Sequence, residues 1–422
     1  MRLLTRRQVL ATGGMLTLSG CSMLSGKETP GEPLDASDTE KWPMYRGDLA
    51  QTGQAKTRLE APYEVERLWG YGESLTIPDH RSLDYVSRPG IAVTDRAVYA
   101  TAVDTDYEPT AVHRTEPEQL WRLTDIADDD LKSSAFARTP APVVAGSEVF
   151  IHSKYRRDRI NPAEEKLVWT DETGLLYGDR LTGNHEKLYL SGSVARIDPE
   201  TGNSISTERT RENGSDGGLA VGDDVAAHAL RVDGSRSGLV VGFDTDDWSV
   251  EWEEQFTEPI YEAPAIHEGQ VFVLTDGSRG GPDPSSEPGT VVALDSDDGS
   301  ENWRADLSGA RIGVGVDTET LYAPHEDDGL IALATSSGSR QWSLDEPLRD
   351  LIGDPAWAYP PVVADDAVVL GGPEGLAIVD ATDGEIRWQE DLRLRGAPAV
   401  AFGDVYALTD DRIVAVRSSN SV

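Results

Sequence analysis

From about residue 90 onward, short apolar runs alternate with small polar clusters. Ala141-Pro142-Val143-Val144-Ala145 is followed by Gly146-Ser147-Glu148 and then by Val149-Phe150. The same figure returns at 263–272, 360–369 and 397–406. Runs this short, bounded by Gly, Asp and Ser, predict two strands joined by a tight turn rather than a helix. A third strand and its turn follow in Val292-Ala293-Leu294-Asp295-Ser296-Asp297-Asp298-Gly299, matched by residues 377–384 and more loosely by 195–202 and 331–338. In that turn the Asp bonds its own backbone and the Gly supplies positive φ. A fourth strand then carries an aromatic ring, as in Trp303, Trp342 and Trp388.

Marking the fourth strand along the chain gives Trp69, Trp121, Trp169, Ile205, Trp252, Trp303, Trp342 and Trp388, at intervals of 36 to 52 residues. Such intervals suit the four-stranded blades of an all-β propeller. Eight marks predict eight blades. Seven is the alternative if 153–190 is one long insertion, because the copy at Ile205 lacks its tryptophan. Residues 397–417 supply three strands and 65–69 supply one. Joined, they complete a blade and leave no open sheet edge. One large flat ring per blade reads as filling between neighbouring sheets, so the seven tryptophans are structural residues.

Composition adds an address. There are 75 acidic residues against 38 basic, a formal charge of −37 spread along the chain. That balance excludes a nucleic-acid-gripping role, which needs Lys/Arg clusters. A dispersed acidic surface suits saturated brine, where salt screens the self-repulsion, and predicts an extreme halophile. Arg6 and Arg7 precede an apolar stretch that ends at Leu18-Ser19-Gly20-Cys21. This reads as a twin-arginine export signal with a lipobox, and the stretch is too short to span a bilayer. The expected division is a signal over 1–20, a flexible tether over 21–41 starting at a lipidated Cys21, and a propeller over 42–422. Cys21 is the single cysteine, so disulfides within the chain are excluded. The expected location is the extracellular face of the cytoplasmic membrane, as a lipid-anchored monomer.

The Ala-Pro strand starts, the Asp-x-x-x-Gly turns and the following tryptophans resemble those of the PQQ-like repeat propellers. Trp42-Pro43-Met44-Tyr45-Arg46-Gly47-Asp48, with Thr52-Gly53 after it, is similar to a stretch that often precedes the first blade in exported members. The resemblance covers roughly 42–417. It implies one of two functions: a PQQ-dependent dehydrogenase, or a lipoprotein scaffold of outer-membrane assembly. The dehydrogenases carry a neighbouring cysteine pair, a calcium cluster and an acidic base in the central funnel. No local motif here reproduces that set, so PQQ with calcium is an alternative and no cofactor is the expectation.

Other candidate chemistry is sparse. The turn 295–299 is rich in oxygen ligands, but an EF-hand needs Glu at its twelfth position and Asp306 stands there. It reads as hairpin punctuation, as do Asp244, Asp246 and Asp247. The seven histidines form no HxH or HExxH pair and read as loop or strand-surface residues. No catalytic residue and no metal ligand is assigned. Lys154, Arg156, Arg157 and Arg159 form one basic run, read as an insertion loop neutralised by Glu164 and Glu165, or as a receiver of an anionic partner. Asn213 opens an Asn-Gly-Ser glycosylation sequon. The long links 104–118, 154–166 and 276–289 are the places where partners are expected. The first functional expectation is a non-catalytic scaffold or binding module. A quinoprotein oxidoreductase and a glycan-acting surface protein are the alternatives.

Overall fold

The computed structural model describes most of residues 41–418. Residues 1–40, 71–89, 102–108, 127–140, 172–180, 208–213, 276–288 and 419–422, with shorter stretches, lie outside the description. Eight four-stranded antiparallel sheets are present among the described residues. Seven are continuous in sequence: blade 1 over 91–122, blade 2 over 143–171, blade 3 over 181–207, blade 4 over 214–256, blade 5 over 265–307, blade 6 over 315–343 and blade 7 over 362–390. The stretch 153–190 is therefore no insertion. Arg157–Asn161 and Lys166–Asp171 complete blade 2, and Leu181–Gly183 with Leu188–Leu190 begin blade 3.

Blade 8 joins the two ends of the ring. Ala399–Ala401, Asp404–Leu408 and Arg412–Ser418 supply three strands, and Tyr63–Gly70 pairs antiparallel with the last of them, from Tyr63 opposite Ser418 to Gly70 opposite Arg412. A bridge from Gly90 to Ala397 brings blade 1 against blade 8.

Each blade lies between two neighbours, so its inner strands are apolar on both faces. Ala367–Gly371 and Asp404–Leu408 are buried at every position. The outermost strand has only one covered face and alternates accordingly. In Val250–Phe256 and Glu301–Leu307 the third residue, Trp252 or Trp303, is buried between exposed polar neighbours.

Those rings bind blade to blade. Trp169 Nε1 donates to the Pro199 carbonyl at 3.0 Å, Trp252 to Ser296 at 2.9 Å, Trp303 to Thr335 at 2.8 Å and Trp342 to Ala381 at 3.1 Å. In every case the acceptor follows the residue that opens the next blade's turn. The ring then covers the glycine closing that turn. At Gly299, with φ +72°, an added Cβ would fall 2.6 Å from the Trp252 ring. Positive φ and this close approach both require glycine there.

Two positions break the pattern. In blade 3 the strand register sets Ser206, not Ile205, opposite Arg196, the place a tryptophan holds elsewhere. Blade 4 compensates: its turn carries Trp248, at φ 63°, where blades 3, 5, 6 and 7 have Gly202, Gly299, Gly338 and Gly384. Trp248 is buried and packs on Tyr189 of blade 3 at 5.2 Å between ring centroids. The ring is supplied from the opposite side of the seam. Trp69 differs in another way. It lies beside a bulge near the end of its strand, with the Arg122 guanidinium 5.4 Å over its ring. Trp388 faces Tyr63 edge-on at 6.2 Å. Trp121 is buried with no hydrogen-bond partner for Nε1 among the described residues.

Candidate functional site

The strand order sorts the links onto two faces. Links from first to second and from third to fourth strand emerge on one face and hold two to six residues, as at 268–269 and 198–203. This is the turn face. Links from second to third strand, and from one blade to the next, emerge opposite. They include 71–90, 123–142, 275–288 and 344–361. This is the link face.

Between the faces runs the channel lined by the inner strands, where propellers commonly place a ligand. Here the described residues of 42–57 occupy it. Trp42 bridges antiparallel to Val93 at the turn-face end of blade 1. The chain then climbs, turns and descends, and Gln54 bridges parallel to Val363 of blade 7. Asp365 N donates to the Thr57 carbonyl at 2.9 Å. The segment is thus a hairpin that enters and leaves by the turn face.

Its residues are fixed around the ring. Met44 is buried against Val143 and Leu181 of blades 2 and 3. Arg46, buried near the tip, donates from Nη1 to the Ala263 carbonyl at 3.0 Å and from Nη2 to the Val314 carbonyl. Val316 N donates to the Thr52 carbonyl at 2.8 Å, and Val363 N to Gly53 at 2.8 Å. Gly47, at φ +77°, lies under the Trp42 ring, where an added Cβ would come within 2.7 Å. Asp48 accepts from Thr52 N at 2.9 Å and from its hydroxyl, which closes the turn. Burial pushes the Asp48 carboxyl above its ordinary range, against the hydrogen bonds from Thr52 and the nearby Arg46 charge. Trp42, Met44, Arg46, Gly47, Asp48, Thr52 and Gly53 therefore each have a job inside the channel.

The resemblance implies PQQ with calcium in this same funnel, and the described residues do not fit that pair. The space is filled by Trp42, Met44, Arg46 and Thr52, the single cysteine is Cys21, and among the described residues no group of three or more His, Cys, Asp or Glu is placed to hold a metal.

The basic run turns inward rather than forming a loop. Arg157 and Arg159 lie in the strand Arg157–Asn161. Arg156 Nε donates to Asp158 at 2.7 Å, Arg157 pairs with Asp171, and Arg159 meets Glu148 at 3.3 Å and Glu200 at 2.8 Å. Glu164 and Glu165 are not the neutralising partners named by sequence proximity. Nor are all histidines on the surface: His152 and His228 are buried in strands. Both His152 ring nitrogens lack a hydrogen-bond partner among the described residues. Burial, with the Arg157 charge beside it, pushes this imidazole down to about 3.

Because the unfolded value is near 6.5, His152 contributes stability above that pH and loses it as pH falls toward 3. Chemical denaturation of wild type and His152→Phe at pH 7 and pH 4 is expected to show wild type losing about 3 kcal/mol more than the variant. Equal losses would show that His152 is not buried neutral.

Cys21, Arg6, Arg7 and Asn213 lie outside the described residues, as does Lys154.

With this geometry in view, the comparisons are specific about family. The PQQ_2 model, described as outer membrane protein assembly factor BamB, matches residues 190–281 and 285–421, over half of the chain. The chain belongs to this repeat family. BamB of Yersinia pestis is 31% identical over 140 residues, 29% of this chain and 35% of the relative. That match spans about a third of the relative's length. Two solved structures share the fold at low identity. BamB from Moraxella catarrhalis has TM-score 0.56 and 14% identity, covering 86% of this chain and 99% of that one. The quinohemoprotein alcohol dehydrogenase from Comamonas testosteroni has TM-score 0.60 and 12% identity, covering 91% and 81%.

Proposed function

We propose that this propeller is a non-catalytic binding scaffold, exported and held at a membrane by lipid on Cys21, in an organism of very salty surroundings. One observation carries the reading: the channel that would receive a cofactor is filled by the chain's own hairpin, while the strand ends joined by the longest links lie on the opposite, link face. Loops on a rigid frame are where recognition resides. The family match to an assembly factor, and the structural likeness to another, favour protein partners over a substrate.

The hairpin also gives the scaffold a direction. Lys41 approaches from the turn face, because Trp42 pairs antiparallel at the turn-face end of Val93. A tether over 21–41 then leads from that face to the membrane and leaves the link face pointing outward. The surplus of acidic residues keeps such a surface hydrated in molar salt.

Crosslinking in washed membranes at molar KCl, followed by capture of the full chain, is expected to recover a defined protein partner. Replacing 277–287 by a Gly/Ser linker of equal length should reduce capture without lowering the melting temperature. Recovery of no partner at any salt concentration contradicts the scaffold reading.

A further inference from the structure

Where the ring closes, four separate stretches of chain meet on the turn face around a cavity of about 390 Å³. Arg58 and Glu60 come from the hairpin as it leaves the channel, Arg114 from the last turn of blade 1, and Phe402, Asp404 and Arg417 from blade 8. The volume is that of a small-molecule site.

The walls are built rather than incidental. Asp404 is buried and stands 3.3 Å from the Arg417 guanidinium and 3.8 Å from that of Arg114. Tyr406 donates its hydroxyl to the same carboxylate at 3.0 Å and accepts from Arg114 at 3.2 Å. Arg417 also reaches Glu66 at 2.6 Å. Two guanidinia are thus fixed in place beside the cavity. The third differs: the Arg58 side chain is 71% exposed and meets Asp366 only at 4.0 Å, so it is poised to swing onto a guest.

The apolar wall has its own cost. Phe402 holds φ 55° in the two-residue turn it shares with Gly403, a conformation that bulky side chains rarely adopt. Its ring lies 4.4 Å from the Arg114 guanidinium. Asn, Asp or Gly would fit such a turn with less strain.

Charge selects the guest. Arg58, Arg114 and Arg417 face Glu60 and Asp404 in the lining, and Glu66 stands 2.6 Å from Arg417, so these charges balance. Arg114 and Arg417 are held by Asp404 and Glu66, which leaves the exposed Arg58, 4.0 Å from Asp366, as the guanidinium open to a guest. Its planar fork bonds a single carboxylate in bidentate fashion, and a phosphate dianion would bring a second negative charge against Glu60. We propose that the closure seam binds a small monocarboxylate carrying an apolar or aromatic body. The site lies on the turn face and does not rest on the scaffold reading.

The probe is 4-fluorobenzoate, followed by fluorine NMR with the full chain in molar KCl, with acetate and inorganic phosphate as competitors. Fast-exchange broadening of the probe is expected, reversed more by acetate than by phosphate. Arg58→Gln should weaken binding about fivefold by removing one charge-assisted partner. Phe402→Gly should weaken it by a similar factor while melting no earlier than wild type, since the turn loses its strain. Arg114→Gln should weaken binding further, and the two other variants keep the test valid if it fails to fold. Three results would overturn the proposal: no broadening with about 20 mM probe, stronger displacement by phosphate than by acetate, or unchanged binding in both Arg58→Gln and Phe402→Gly.

Discussion

A chain that begins at Glu60 is expected to lose on the order of 6 kcal/mol of stability while keeping all eight blades. The closing strand Tyr63–Gly70 remains, so the ring can still form. What disappears is the channel hairpin. Trp42, Met44 and Leu59 are each buried to within a few per cent, and burying a large apolar side chain contributes about 1.5–3 kcal/mol. The Arg46, Thr52 and Gly53 hydrogen bonds to blades 5, 6 and 7 add less, because water entering the emptied channel takes over their partners. Urea unfolding of the two chains in molar KCl measures the difference. A loss below about 1 kcal/mol would mean that the hairpin does not pack in the channel.

The second large effect concerns the one seam where the tryptophan is on the other side. Trp248→Gly removes a buried ring, a change that costs about 3–5 kcal/mol. It also returns glycine to a position at φ 63°, recovering about 1 kcal/mol of backbone strain. The net expectation is a loss of about 3 kcal/mol. Adding Ser206→Trp rebuilds the arrangement of the other blades, with a ring on the outer strand covering glycine in the next turn. The double variant should therefore regain more than half of the loss. Strictly additive effects in the double-mutant cycle would show that positions 206 and 248 do not serve one seam.

These two regions also separate what the sequence reveals from what it conceals. Blade count and ring closure were legible because one local rule repeats: Asp bonds its own turn, glycine takes positive φ, and a tryptophan follows. Asp295 accepts from Asp297 N at 2.9 Å and Asp380 from Thr382 N at 2.8 Å, as the turn reading requires. The register of blade 3 was less legible. Without its tryptophan the strand is marked only by spacing: the eight residues from Asp295 to Trp303 and from Asp380 to Trp388 lead from Asp198 to Ser206, where the pairing also places the equivalent position.

The destination of 42–53 was hidden for a different reason. The motif itself stands out, but its partners Ala263, Val314 and Val363 come from three other blades. Nothing local announces contacts separated by 217 residues (Arg46 to Ala263), 268 residues (Arg46 to Val314) or the still longer span from Gly53 to Val363. The same holds for the basic run, whose acidic partners Asp171 and Glu200 come from a neighbouring strand and the next blade rather than from adjacent Glu164 and Glu165. The seam cavity is assembled from residues 58–60, 114, 402–404 and 417, and only ring closure brings them together.

Filling of the channel by the chain's own hairpin is tested most directly by calorimetric titration with PQQ, with and without calcium, on the purified chain in molar KCl. The expected result is no binding heat up to about 1 mM cofactor, because Trp42, Met44 and Arg46 hold the space. Micromolar or tighter binding, dependent on calcium, would show that the hairpin yields the funnel to a cofactor and would overturn the scaffold reading.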